Sequence, residues 1–123
     1  MKKLPLTKRN YEAAKDFVFE KWRERAAEEV GREEPTDLTG ACKFASLFAK
    51  EIFGGRLRGN QEHQWLENSE GVIDLTDAAG VDLPAGDIYL HDPEFWMNEE
   101  HRDSMESVKP RVQRWVKEFL GSQ

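Results

Sequence analysis

Two stretches in the middle of the chain decide its fold. Residues 41–55 have the sequence ACKFASLFAKEIFGG, and residues 63–76 have the sequence HQWLENSEGVIDLT. In the first stretch, apolar side chains cover more than half of a helical circumference, which predicts a buried helix that ends at Gly54 and Gly55. In the second stretch, the side-chain pattern repeats every two residues on either side of a turn around residues 68–71, which predicts a β-hairpin.

The other elements are predicted from the same two periodicities. The expected elements, in chain order, are helices over 8–30 and 41–53, strands near 56–58, 62–68, 71–76 and 87–91, a helix over 99–108, and a helical stretch from Pro110 onward. Pro110 is expected either in the first turn of a second helix or at a kink. This order predicts an α+β fold, in which a small antiparallel sheet packs on the helix that carries Cys42. The N- and C-terminal helices close the outside. A chain of 123 residues fits a single domain, residues 1–123.

Composition excludes several classes of protein. The 24 Asp and Glu against 18 Lys and Arg give a net charge of −6, whereas a general nucleic-acid binder needs a basic face. No apolar run is long enough for a membrane span, and the first ten residues, MKKLPLTKRN, lack the apolar core of a secretory signal. The single cysteine excludes an internal disulfide, so a reducing compartment, the cytoplasm, is expected. Neither a metal nor a cofactor is expected, because the three histidines lack zinc-binding spacing.

Cys42 stands at the predicted start of the buried helix. Unpaired N–H groups and the helix dipole at such an end stabilise a thiolate, and the same N–H groups can donate to the oxyanion of a tetrahedral intermediate. A nucleophilic thiol also needs a base, and the base needs a group that orients it. The alternative is that Cys42 is a small residue of the core, as a lone cysteine on an apolar helix usually is.

His63 and Asp74 are the candidate partners of this thiol because of the hairpin geometry. Side chains alternate along a strand, so His63, Trp65 and Glu67 share one face. A turn with an even number of residues pairs Glu67 with Val72 and makes His63 and Asp74 diagonal neighbours, whereas a three-residue loop separates them. Asp74 is also unusual inside a strand, where Asp is disfavoured. Taken singly, the two residues have plain alternatives, a hydrogen-bonded or surface histidine and a carboxylate at a strand end.

Short motifs along the chain carry a resemblance to a known family. They are Gly40-Ala41-Cys42, Phe53-Gly54-Gly55, His63-Gln64-Trp65, the stretch from Gly71 to Thr76, and Arg102 with Arg111-Val112. Together they resemble the YunG-like family of small bacterial proteins over about residues 38–120. The resemblance implies a papain-like or transglutaminase-like core. The order helix-start cysteine, strand histidine and next-strand aspartate, here Cys42, His63 and Asp74, is also the order found in those enzymes.

One position departs from the family in a way that bears on chemistry. A Gln often precedes the cysteine there, and Ala41 stands here. The substitution removes a candidate oxyanion side chain. Thr36, Asp37 or Thr39, or the backbone alone, would then supply the donors.

The favoured hypothesis is a papain-like or transglutaminase-like cysteine enzyme that acts on an amide or acyl bond. Cys42 would be the nucleophile, His63 the general base and acid, and Asp74 the group that fixes the tautomer of the imidazole. The residues expected to line the cleft are Trp65, Thr39, Phe95 and Trp96. The substrate would be a peptide, a protein or a small amide.

Two other functions remain as alternatives. A non-catalytic interaction module would present the loop Phe95-Trp96-Met97, or the basic stripe of Arg111, Arg114 and Lys117, to a protein partner. A metal-dependent hydrolase would use His63, Asp74 and His91. Neither nucleic acid nor a membrane is expected as a partner, and the oligomeric state is left open.

Overall fold

The computed structural model describes residues 3–28, 31, 35, 36, 38, 41–59, 63–76, 97 and 99–121. These residues form the expected α+β architecture, with three helices and a three-stranded antiparallel sheet. The elements are α1 (Lys8–Ala27), α2 (Cys42–Phe53), β1 (Arg56–Gly59), β2 (Gln64–Asn68), β3 (Gly71–Ile73) and α3 (Glu99–Gly121). The strand expected near 87–91 lies outside the described residues. None of the described helices combines the length and apolar character that crossing a membrane requires.

The central helix, α2, is buried because apolar side chains cover more than half of its circumference. It packs against α3 on one side and against β2 on the other. The ring of Phe48 stacks on Phe17 of α1 at a centroid distance of 5.5 Å and meets Phe119 of α3 edge-on at 5.4 Å. These distances are those of favourable aromatic pairs, so the three helices share one core.

The N-terminal helix, α1, begins as its sequence predicts and ends earlier. Thr7 is the N-cap, and its hydroxyl oxygen accepts a hydrogen bond from the backbone N–H of Asn10 at 3.1 Å. The helix was expected to reach residue 30, but it ends at Ala27. The N–H of Glu28 bonds to the carbonyl of Arg25 at 3.1 Å, a tightening that commonly closes a last turn. The carboxylate of Glu28 then binds Arg111 of α3 through two hydrogen bonds of 2.7 and 2.9 Å.

The C-terminal region forms one helix, so Pro110 does not start a second helix, which was one of the two expectations for it. Pro110 lies inside α3. A proline inside a helix costs about 3 kcal/mol, because it removes one backbone hydrogen bond and crowds the preceding turn. Met105 and Val112, on either side of it, are only 1% and 2% exposed. Burying two such side chains contributes about 1.5–3 kcal/mol each, which offsets the cost and favours a continuous helix.

The hairpin has the register that an even-numbered turn produces. β2 and β3 are joined through Ser69 and Glu70, and Glu67 lies opposite Val72, as predicted. The strand order is β1-β2-β3. On the face toward α2, Leu66 lies between Leu57 and Ile73, and these three side chains are fully buried.

Both hairpin strands are shorter than predicted. β2 starts at Gln64 and β3 ends at Ile73, so His63 and Asp74 lie just outside the sheet rather than within it. At Asp74 the reason is local. One oxygen of its carboxylate accepts hydrogen bonds from the backbone N–H and the hydroxyl of Thr76, at 3.0 and 2.6 Å. A short polar side chain that bonds the backbone two residues ahead favours a turn over a continued ladder.

A close crossing at Gly55 joins α2 to the sheet. Gly55 has a φ of +139°, and a Cβ atom placed there would lie 2.6 Å from the backbone oxygen of Glu67. Asn68 reinforces the crossing, because its side-chain amide donates to the carbonyl of Gly54 at 3.0 Å. The end of α2 is thereby held against β2.

We expect Gly55→Ala to lower the free energy of unfolding by about 2 kcal/mol or more, because the new methyl group meets backbone that cannot move aside. Urea unfolding followed by circular dichroism measures the change. Gly121→Ala is the matched control, since an added Cβ there meets no atom within 4 Å. Equal stability of the two variants would contradict the close crossing.

Candidate active site

The imidazole of His63 and the carboxylate of Asp74 form the centre of the candidate site. His63 Nε2 lies 2.7 Å from Asp74 Oδ2. The hairpin register causes this approach, because pairing of Glu67 with Val72 brings the start of β2 beside the end of β3. The side chains of His63 and Asp74 are 2% and 20% exposed, so water competes weakly for their hydrogen bond.

Asp74 is held from three directions. Oδ2 faces His63, Oδ1 accepts the two hydrogen bonds from Thr76, and its backbone carbonyl accepts a hydrogen bond of 2.6 Å from the hydroxyl of Tyr11. Tyr11 belongs to α1, so a helix 63 residues away in sequence helps to position the acid. The carboxylate therefore has a fixed orientation toward the imidazole.

The two groups stabilise each other's charged forms. The hydrogen bond to Asp74, followed by a hydrogen bond to Cys42, raises the pKa of His63 to about 9, against the opposing effect of burial. Burial raises the pKa of Asp74, but hydrogen bonds from His63 and Thr76 outweigh it, and the pKa lies below its ordinary value. At neutral pH the pair is therefore an imidazolium beside a carboxylate.

Cys42 completes the predicted group of three. It is the first residue of α2 and is half-buried. A hydrogen bond to its side chain is the second cause that raises the pKa of His63. The fold thus brings the three predicted catalytic residues together.

The start of α2 adds backbone donors beside the sulfur. Ala41 occupies the N-cap position, and its methyl side chain cannot accept a hydrogen bond. The first bond within the helix runs from the N–H of Ala45 to the carbonyl of Ala41, at 2.9 Å. The N–H groups of residues 42–44 therefore have no acceptor within the helix, which is the usual state of a helix N-terminus.

Of the four residues expected to line a cleft, the structure places one. Trp65 is half-buried, and its ring lies 5.8 Å from the His63 ring, tilted by 32°. It therefore covers one side of the imidazole. Thr39, Phe95 and Trp96 lie outside the described residues.

Other predicted groups contribute little to the described part of the site. Thr36, a candidate oxyanion donor, is exposed, whereas Asp37 and His91 lie outside the described residues. Over the part of the chain that the structure describes, no three His, Cys, Asp or Glu side chains are arranged to hold a metal ion.

Gln64 is a site residue that sequence analysis missed. Its Oε1 lies 3.0 Å from the sulfur of Cys42, and the residue is 3% exposed. Strand alternation places Gln64 with Leu66 on the face opposite Trp65, which drew attention away from it. That face packs against α2, where Cys42 is. The available signal was a glutamine on the core-facing side of a strand, where amides are seldom buried without a partner.

Comparison with known proteins gives no match to a protein-family model, to a curated protein or to a solved structure. The resemblance to the YunG-like family therefore stays a prediction.

The His63–Asp74 pair makes stability depend on pH. Because the pKa of His63 rises from 6.5 to about 9 on folding, its contribution is complete below pH 6.5 and is lost as the pH rises through about 9. We expect a loss on the order of 2 kcal/mol, measured by urea unfolding across this interval. Asp74→Asn should flatten the dependence, because it removes the main cause of the shift.

Glu28→Gln is the control for that measurement. It removes a carboxylate bound to Arg111 at the surface and should leave the pH dependence intact. An unchanged slope in Asp74→Asn would show that Asp74 does not hold the imidazolium.

Proposed function

We propose that this protein is a cysteine enzyme of the papain-like or transglutaminase-like type that acts on an amide or related acyl bond. One observation carries the proposal. A single buried imidazole lies 2.7 Å from the carboxylate of Asp74, and hydrogen bonds to Asp74 and to Cys42 both raise its pKa. Such an arrangement of thiol, base and orienting acid is the one that nucleophilic catalysis by cysteine requires.

The first half of the reaction forms a thioester. The Cys42 thiolate attacks the acyl carbon, a C–S bond forms, and the carbonyl electron pair moves to the oxygen. N–H groups at the start of α2 donate to this oxyanion. The imidazolium of His63 gives its Nδ1 proton to the leaving amine as the C–N bond breaks. Asp74 holds the Nε2 proton throughout and so keeps the ring in place.

The second half of the reaction releases the acyl group. The imidazole of His63, now neutral, takes a proton from the acceptor as the acceptor attacks the thioester. The C–S bond breaks, and Cys42 leaves as a thiolate beside the restored imidazolium. With water as the acceptor the reaction is hydrolysis, and with an amine it is transamidation, so the product identifies the subclass.

The substrate class follows from the same chemistry. The reaction needs a peptide, a protein side-chain amide or a small amide, and Trp65 beside His63 offers an apolar wall for it. No nucleic acid or membrane is part of the proposal. A reducing compartment would preserve the thiol, and the cytoplasm meets that need.

A non-catalytic interaction module is the second candidate function, and Met97 favours it. This side chain is 80% exposed and comes from the aromatic loop singled out in the sequence. The basic stripe of the last helix gives less support, because Arg111 is bound to Glu28. Such a module predicts that the reactivity of Cys42 does not depend on His63.

We expect iodoacetamide to alkylate Cys42 at neutral pH, and His63→Ala to slow that reaction by at least about tenfold, because the imidazolium that stabilises the thiolate is lost. Asp74→Asn should cause a smaller decrease. Mass spectrometry of the peptide that contains Cys42 measures the rate. His101→Ala, on α3, controls for the loss of a histidine. A rate that is the same in all four proteins would contradict the proposal.

An activated acyl ester tests the covalent step. Brief incubation with p-nitrophenyl acetate should add one acetyl group to the wild-type protein, because the thioester forms faster than it breaks down. Cys42→Ser should remain unmodified under the same conditions. Intact-protein mass spectrometry detects the adduct, and acetylation of both proteins to the same extent would assign the reaction to other residues.

A further inference from the structure

Gln64 and Cys42 form a contact that the proposed reaction does not use. The amide oxygen of Gln64 lies 3.0 Å from the sulfur, and Gln64 is almost completely buried. A carbonyl oxygen can only accept a hydrogen bond, so the sulfur in this contact is the donor. The contact therefore requires a protonated thiol.

A protonated thiol is also compatible with the protons on His63. Below about pH 9 the ring of His63 carries a proton on each nitrogen. Nε2–H donates to Asp74, and the second hydrogen-bond partner of the ring is the side chain of Cys42. The thiol proton then needs a separate acceptor, and the oxygen of Gln64 is within reach. Each proton in the series of hydrogen bonds from Asp74 through His63 and Cys42 to Gln64 has an acceptor in this arrangement.

Gln64 opposes the groups that favour the thiolate. The imidazolium of His63 and the start of α2 both stabilise a negative sulfur. The negative end of the Gln64 amide dipole lies next to the same atom and repels it once it is ionised. The electrostatic effects on His63 come from Asp74 and Cys42, and the effect on Asp74 comes from His63.

We infer that Gln64 is a positioning residue that holds Cys42 as a protonated, resting thiol. The inference rests on the proposed function and describes the regulation of the same site. Loss of the thiol proton to water breaks the bond to Gln64 and leaves the imidazolium–thiolate pair. Any group that takes over the amide oxygen of Gln64 therefore favours the reactive form.

The pH dependence of alkylation tests this role. Gln64→Met keeps the length of the side chain and removes the acceptor. The pH at half-maximal alkylation of Cys42 should fall by about one unit, since one hydrogen bond is worth up to about a tenfold change in the equilibrium. The pH midpoint at which the ultraviolet absorbance of the thiolate appears should fall by the same amount, with Cys42→Ser as the blank. Gln113→Met, an exposed position on α3, should match the wild type. A midpoint that is unchanged or higher in Gln64→Met would overturn the inference.

Infrared spectroscopy tests the resting state without a variant in the site. Cys42 is the only cysteine, so the S–H stretching band reports this residue alone. In the wild type at neutral pH the band should be present and displaced to low frequency by the hydrogen bond. In Gln64→Met the frequency of the band should rise. Gln64→Leu replaces that variant if it does not fold. A missing band in the wild type would show a resting thiolate and overturn the inference.

The two proposals fail in different ways. If His63→Ala leaves alkylation unchanged while the S–H band behaves as expected, the enzymatic proposal fails and the contact with Gln64 stands. If alkylation depends on His63 but the band is missing, the role of Gln64 fails and the enzymatic proposal stands.

Discussion

The hydrogen bond between His63 and Asp74 is the interaction on which the candidate site depends. Two opposite charges leave water here and face each other at 2.7 Å, in a place where His63 is almost completely buried. A buried charge without a partner is strongly unfavourable, whereas a paired and hydrogen-bonded one is tolerated. The surrounding contacts can therefore be understood as means of keeping this pair together.

Three parts of the fold supply those contacts. The two-residue turn of the hairpin brings both residues to one end of the sheet. Thr76 turns the chain after β3 and occupies the second oxygen of Asp74, and Tyr11 fixes the carbonyl of the same residue from α1. The pair is consequently coupled to the helical core, so damage to α1 would reach the site through Tyr11.

The start of α2 places the sulfur in an environment with opposing influences. The helix end and the imidazolium favour a negative sulfur, and the oxygen of Gln64 favours a thiol. The apolar character of the rest of α2 serves a separate purpose, because it anchors the helix between α3 and β2 and so keeps Cys42 at a constant position.

Patterns confined to neighbouring residues were enough to predict α2, most of α1, the hairpin and its register, since each arises from side-chain periodicity or from the length of a turn. The candidate trio followed, because the register makes His63 and Asp74 neighbours and α2 begins at Cys42. The strand limits at His63 and Asp74 were missed, because hydrogen bonds outweighed local preferences there. The sequence left open whether Pro110 starts a second helix, because core packing decides that point. The roles of Gln64 and Tyr11 depend on contacts with partners 22 and 63 residues away in the chain. Such contacts leave no periodic signal, so only the folded chain decides which amide meets the thiol and which hydroxyl holds the acid.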